Sequence, residues 1–132
     1  MANEATLMIE MDLPIPLTVA DGAGIEKGTV LKLTDPMTAA ACSADNDVFI
    51  GIAAEEKIAN DGKTKLGVYL RGVFKMVIEA GNSTTVGQDV VIKGTNTVGG
   101  YSTLDDEKGY VVGKALETGA AGESVLVLVG KC

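Results

Sequence analysis

No stretch of this 132-residue chain sustains a 3.6-residue apolar period over three turns, so a helical scaffold has nothing to build on. What recurs instead is the short β-prone run bounded by turn residues. The 17 glycines are spread along the chain and do not form one flexible tract, as expected where many turns separate short strands. Runs of this kind are Thr29 to Leu33, Val48 to Ala53, Lys65 to Leu70, Val73 to Glu79, Asp89 to Lys93, Tyr110 to Leu116 and Ser124 to Val129. Thr38 to Ala44 reads as a short strand or a helical turn. Turns are expected at Asp35-Pro36, at Ala80-Gly81-Asn82 and at Gly119 to Gly122, with a tight hairpin at Asn60-Asp61-Gly62-Lys63, since Asp-Gly tolerates the positive φ such turns need. Gly94 to Gly100 reads as a polar loop, and the final run, apolar on both faces, as a central strand.

The N-terminal segment follows a different rule. From Leu7 to Val19 the odd positions are Leu7, Ile9, Met11, Leu13, Ile15, Leu17 and Val19, against Met8, Glu10, Asp12, Pro14, Pro16 and Thr18 at the even ones. Period two means extended backbone. Pro14 and Pro16 share a parity, so both missing donors lie on one lateral edge while the odd residues keep theirs on the other. That pattern suits an edge strand or an arm laid along a neighbour.

The expected fold is therefore all-β, a small barrel or sandwich of about eight to ten short strands with an extended N-terminal arm. Residues 1–21 form the arm and 22–132 the β-rich domain. A chain of this length buries roughly 68% of its unfolded surface, enough for one core. Hydrophobic residues reach 46% but aromatic ones only 4%, so that core is filled by Val, Ile, Leu, Ala and Met.

Charge and chemistry narrow the function. A net charge of -7, with no local Lys/Arg cluster, opposes nucleic acid and anionic membranes as partners. Nothing approaches the ~20 apolar residues of a spanning helix, nor does a basic stretch lead into an apolar one at the N-terminus, so the expected chain is soluble and unprocessed. The absence of histidine removes the commonest general base and zinc ligand. Cys42 lacks a positive, base-bearing setting and reads as a small buried residue; it and Cys132 are expected as free thiols. Asp45-Asn46-Asp47 resembles the start of a calcium loop, but the glycine and the bidentate glutamate such a loop needs are not in place. Gly22-Ala23-Gly24 with Gly28 opens a strand, which makes it turn chemistry and not a dinucleotide site. Asp105-Asp106-Glu107 is a solvated charge run. The expectation is a non-enzyme with no catalytic residues, no cofactor and no metal.

Val48-Phe49-Ile50-Gly51-Ile52-Ala53-Ala54, the Gly62 turn and Val68-Tyr69-Leu70-Arg71-Gly72-Val73-Phe74 together resemble the core of tailed-phage capsid decoration, or cement, proteins. Val86-Gly87-Gln88-Asp89-Val90 and Gly109-Tyr110-Val111-Val112-Gly113-Lys114-Ala115 are similar to further parts of that group, and the likeness runs from about Gly22 to Gly130. The chain departs from the shortest members by its longer N-terminal segment and an 80 to 108 insert. The resemblance implies a β-rich protein on the outer surface of a virion, made in the host cytoplasm, often a homotrimer, whose N-terminal arm engages the major capsid protein. Leu7, Ile9, Met11, Leu13, Ile15, Leu17 and Val19 would then be the capsid-binding face of the arm. Two other classes stand beside this one: a non-catalytic carbohydrate- or peptide-binding barrel, disfavoured by scattered aromatics, and a carboxylate-only glycosidase, for which no paired acids have a motif.

Overall fold

A computed structural model describes residues 3–43, 47–100 and 111–130. Among these residues it contains eleven strands and no helix. They are β1 (Thr6–Glu10), β2 (Ile15–Thr18), β3 (Val30–Asp35), β4 (Thr38–Ala41), β5 (Phe49–Ala53), β6 (Lys65–Tyr69), β7 (Gly72–Ile78), β8 (Asp89–Gly94), β9 (Thr97–Gly100), β10 (Val111–Ala115) and β11 (Ser124–Val129). The β-prone runs all became strands, because each alternates or carries enough Val, Ile and Leu to bury one face.

The strands form two barrels in series. The first closes in the order β2-β4-β3-β5-β6. The second runs β7-β11-β10-β8-β9, and a β7–β9 pairing closes it; β1 is attached to the outside of β7. Strand for strand the two circuits are the same. Both are sealed by a short parallel pair, Thr18 with Thr38 and Val77 with Thr97, at matching positions. Both carry a bulge in the hairpin that joins the second and third strands, between Leu33 and Asp35 and between Ile92 and Gly94. Both turn that hairpin on a non-glycine residue of positive φ, Met37 and Asn96. An isolated bridge ties the long loops of each, Ile25 to Lys57 and Thr84 to Gly119. The chain is an internal duplication.

Glycine is needed at one matched pair for a steric reason. A Cβ on Gly51 would run into Val68 and the Tyr69 carbonyl, and one on Gly113 into the Leu128 carbonyl. These are equivalent places, where neighbouring strands cross the barrel too closely for any side chain.

Each barrel has its own core. Leu17, Val19, Ile25, Leu31, Ala39, Ala53, Leu66 and Val68 fill the first. The second is filled by Phe74, Met76, Ile78, Val90, Val98, Ala115, Val125 and Val127, among others, and it extends to the outer face of the first barrel through Val30, Cys42 and Ile52. The junction is held by a buried asparagine. The N–H of Val30 donates to Asn96 Oδ1 at 2.9 Å, and the N–H of Asn96 donates to Cys42 Sγ at 3.4 Å. The Cys42 thiol in turn donates to the Gly94 carbonyl at 3.3 Å.

Two expectations are corrected. Residues 54–64 do not make a tight Asp-Gly hairpin; β5 and β6 pair only at Ile52 with Tyr69 and Ala53 with Val68, and a long loop joins them. Lys57 is the cause, since it leaves the hairpin to bridge Ile25. The expected polar loop at Gly94 to Gly100 contains β9, whose Thr97 and Val98 are buried in the barrel seam. The described part of the 80 to 108 stretch supplies β8 and β9 of the second barrel.

Candidate functional site

The N-terminal segment is extended, as its alternation requires, yet it is not a free arm. It breaks into two strands that serve different barrels. β1 pairs antiparallel with β7, Thr6 facing Lys75 and Glu10 facing Gly72. β2 is a wall of the first barrel, pairing with β6 from Ile15–Val68 to Thr18–Lys65. The odd edge of β2, which keeps its donors, is the one used: the N–H of Val19 donates to the Thr64 carbonyl at 3.0 Å. On the even edge Thr18 donates to the Met37 carbonyl at 2.8 Å. Pro14 and Pro16 share that edge, and β4 meets β2 there only at Thr18. The physical reason for a folded segment is the length of its apolar face, which the barrel buries at its C-terminal end.

The seven odd residues accordingly separate by burial. Leu17 and Val19 lie inside the first core. Leu7 is half-buried against the second core and Ile15 against the first. Ile9, Met11 and Leu13 are exposed at 59%, 44% and 79%, joined by the even residue Met8 at 54%. Four large apolar side chains in water within six consecutive residues form an apolar strip on an acidic protein. The strip is anchored at its flanks. Asp12 pairs with Arg71 at 3.7 Å across the link between the barrels. Burial, assisted by neighbouring Glu10, raises the Tyr69 phenol above its ordinary pKa. The same tyrosine packs edge-on against Phe74 with ring centroids 5.8 Å apart.

A second polar constellation lies in the long loops of the first barrel. The Lys57 side chain is 1% exposed and its ammonium donates to Asp61 Oδ1 at 2.7 Å, Asp21 Oδ1 at 3.0 Å and the carbonyls of Ile58 and Asp21. Burial works against its charge, but the hydrogen bonds it donates to both aspartates prevail and raise its pKa. Asp61, bonded by Lys57 and by the N–H of Lys63, is lowered to about 2. The ammonium is held by four acceptors of the chain itself, so the cluster staples loops together. No sequence signal marked it, because Asp21, Lys57 and Asp61 are brought together only by the Ile25–Lys57 bridge.

The residues considered for chemistry are otherwise employed. Burial raises the pKa of the Cys42 thiol, which is the opposite of nucleophile activation. Asp47 accepts from the N–H of Ser43 at 2.8 Å and lies 3.8 Å from Lys32. Asp45, Asn46, Cys132 and the run Asp105 to Lys108 lie outside the described residues. Among the described residues no three His, Cys, Asp or Glu side chains converge as a metal site.

A comparison with curated proteins gives no match. The family model described as phage cement protein matches residues 9–130, which includes both barrels and most of the apolar strip. With that match over nearly the whole of an all-β chain, this protein belongs to the phage cement protein family, a structural component of the phage capsid.

Proposed function

We propose that the chain binds the outer surface of a phage capsid and stabilises it by bridging neighbouring subunits of the major capsid protein, seated as a homotrimer. Family membership supports the capsid. The observation that carries the contact surface is the strip of Met8, Ile9, Met11 and Leu13, exposed on a segment tied to both barrels. Full burial of one such side chain contributes about 1.5–3 kcal/mol, so a few of them suffice for a weak single contact. Three copies of the strip on one trimer raise the effective concentration of the second and third contacts, which converts weak individual binding into stable attachment. The net charge of -7 keeps the unbound protein soluble despite that strip.

Deleting residues 1 to 19 is a poor test, because it removes Leu17 and Val19 from the first core. The test is Ile9→Asp with Leu13→Asp, both at exposed positions. Occupancy on purified undecorated capsids, read by gel densitometry, is expected to fall by at least about tenfold. Undiminished occupancy would refute the strip as the contact.

A further inference from the structure

Aspartate is followed by glycine at two places in this chain, Asp21-Gly22 and Asp61-Gly62, and asparagine is followed by glycine nowhere. Such a step is prone to spontaneous isomerisation, because glycine sets no side chain beside its own amide nitrogen. Both steps meet in the Lys57 cluster, whose ammonium donates to Asp61 Oδ1 at 2.7 Å and to Asp21 Oδ1 at 3.0 Å. In the matching loops of the second barrel, residues 79–88 and 116–123, no aspartate precedes a glycine, and Gly119 stands in place of Lys57. The lysine and the vulnerable steps occur together.

Bulk does not shield them. Gly22 and Gly62 are exposed, and a Cβ on Gly62 would meet nothing within 4 Å, while one on Gly22 would meet only Asn60 Oδ1 at 3.8 Å. Isomerisation begins when the glycine amide nitrogen attacks Cγ of the preceding aspartate. The new C–N bond closes a succinimide, and the hydroxyl of the neutral carboxyl leaves as water with the amide proton. Water then adds at the original backbone carbonyl, the bond from that carbonyl to the nitrogen breaks, and the main chain runs on through the side chain as isoaspartate. At Asp61 both requirements are opposed. The Gly62 N–H donates to Asp21 Oδ1 at 2.9 Å, 41 residues away in sequence, so the nucleophile is committed elsewhere. Asp61 Oδ1 accepts from Lys57 and from the Lys63 N–H at 2.9 Å, which favours the carboxylate, a form with no hydroxyl to lose. At Asp21 the ammonium holds the side chain, and the backbone carbonyl accepts from Lys57 at 3.1 Å and from the Asn60 N–H at 2.7 Å. Those bonds hinder the Asp21-Gly22 peptide from rotating onto Cγ.

We propose that Asp21-Gly22 and Asp61-Gly62 are the chain's sites of spontaneous isoaspartate formation, and that Lys57, with the Gly62-to-Asp21 hydrogen bond, holds both back in the folded protein. Lys57 is a positioning residue here and takes no part in the covalent step. A structural component of a capsid stays in place once the particle is built, so slow backbone chemistry accumulates in it. Isoaspartate at either step would lengthen the main chain inside the cluster and pull apart the loops it joins. The chemistry itself is independent of what the chain binds.

The experiment ages the full chain in one mildly acidic buffer, folded and with denaturant added. Isoaspartate at each step is followed by peptide mass spectrometry with electron-transfer fragmentation, which tells the two isomers of equal mass apart. In the folded wild-type protein both steps are expected to isomerise at least about tenfold more slowly than in the unfolded chain. Asp21→Ala, which takes the acceptor from the Gly62 N–H, is expected to speed the reaction at Asp61 at least about fivefold in the folded state. Lys57→Met should speed both steps, and Lys57→Arg, which keeps the charge, should fall between it and wild type. Equal rates in folded and unfolded wild-type protein overturn the proposal. So does a folded Asp21→Ala or Lys57→Met protein that isomerises at Asp61 no faster than wild type, since rigidity alone would then be the brake. The comparison of folded with unfolded wild type needs no variant and stands even where Lys57→Met folds poorly.

Discussion

The two barrels share a path and differ in what they do with it. At the seam where the first strand meets the third, β7 of the second barrel takes β1 along the half-edge that β9 does not reach. The equivalent half-edge of the first barrel holds Pro14 and Pro16, standing where the second has Val73 and Lys75. One copy of the edge is covered by a strand and the other is silenced by proline, two solutions to the same hazard. A comparable split occurs at the β3–β4 and β8–β9 hairpins. Asn96 turns inward and fastens the barrels together, whereas Met37, its counterpart, is 60% exposed. The two turns share a positive φ; only one of them faces a neighbour to bind.

The largest test of this comparison is in the cores. Phe74 is buried at the centre of the second barrel and its counterpart Ile15 is half-buried in the first. Phe74→Ala is expected to cost about 3–5 kcal/mol in denaturant unfolding, and Ile15→Ala distinctly less, because a half-buried site loses less apolar contact and leaves no closed cavity. Equal losses would mean that the two cores are energetically interchangeable. Next comes the turn pair. Asn96→Ala leaves the Val30 N–H without its acceptor and is expected to cost about 1–3 kcal/mol. Met37→Asn is expected within about 0.5 kcal/mol of neutral on the stabilising side, since asparagine suits its φ of 51° better than methionine does.

The smallest effect is local and depends on acid. Asp61 lies at about 2 in the folded protein against an ordinary 3.8, so its contribution is complete above 3.8 and is lost as pH falls toward 2. Protection of the amides in residues 54–64, relative to intrinsic exchange at each pH, is expected to fall over that window. The matching loop of the second barrel, with Gly119 in place of Lys57, has no such staple among the described residues and should show no change of this origin. A parallel loss of protection in both loops would assign the effect to global loosening.

Much of the fold was legible in residue order. Alternation and turn chemistry located the strands, and the proline parity identified the blunted edge of β2 correctly. The same parity could not reveal that the intact edge was already spent on β6, a partner some fifty residues away. The repeat also stayed hidden, because few equivalent positions keep their residue: Gly28 and Gly87, Thr38 and Thr97, Gly51 and Gly113, Ala53 and Ala115, Val68 and Val127 are among those that do, while Met37 and Asn96 or Lys57 and Gly119 do not. Topology is conserved by burial and backbone geometry, and many side chains satisfy both. For the candidate site, sequence marked the apolar run but not its division. Which of Leu7 to Val19 face water depends on where the two barrels sit, and that is set by residues far along the chain.

The pairing of β1 with β7 has a consequence in time. Each barrel is contiguous in the chain, so the first can close as soon as Tyr69 has left the ribosome. β1, made before its partner, cannot pair with β7 until Lys75 follows, on the order of several seconds later at about 5–20 residues per second. It is a latch fitted to a door that has not yet been hung. Throughout that interval its apolar side chains are carried without their β7 partner, with Glu10 and Asp12 interleaved among them.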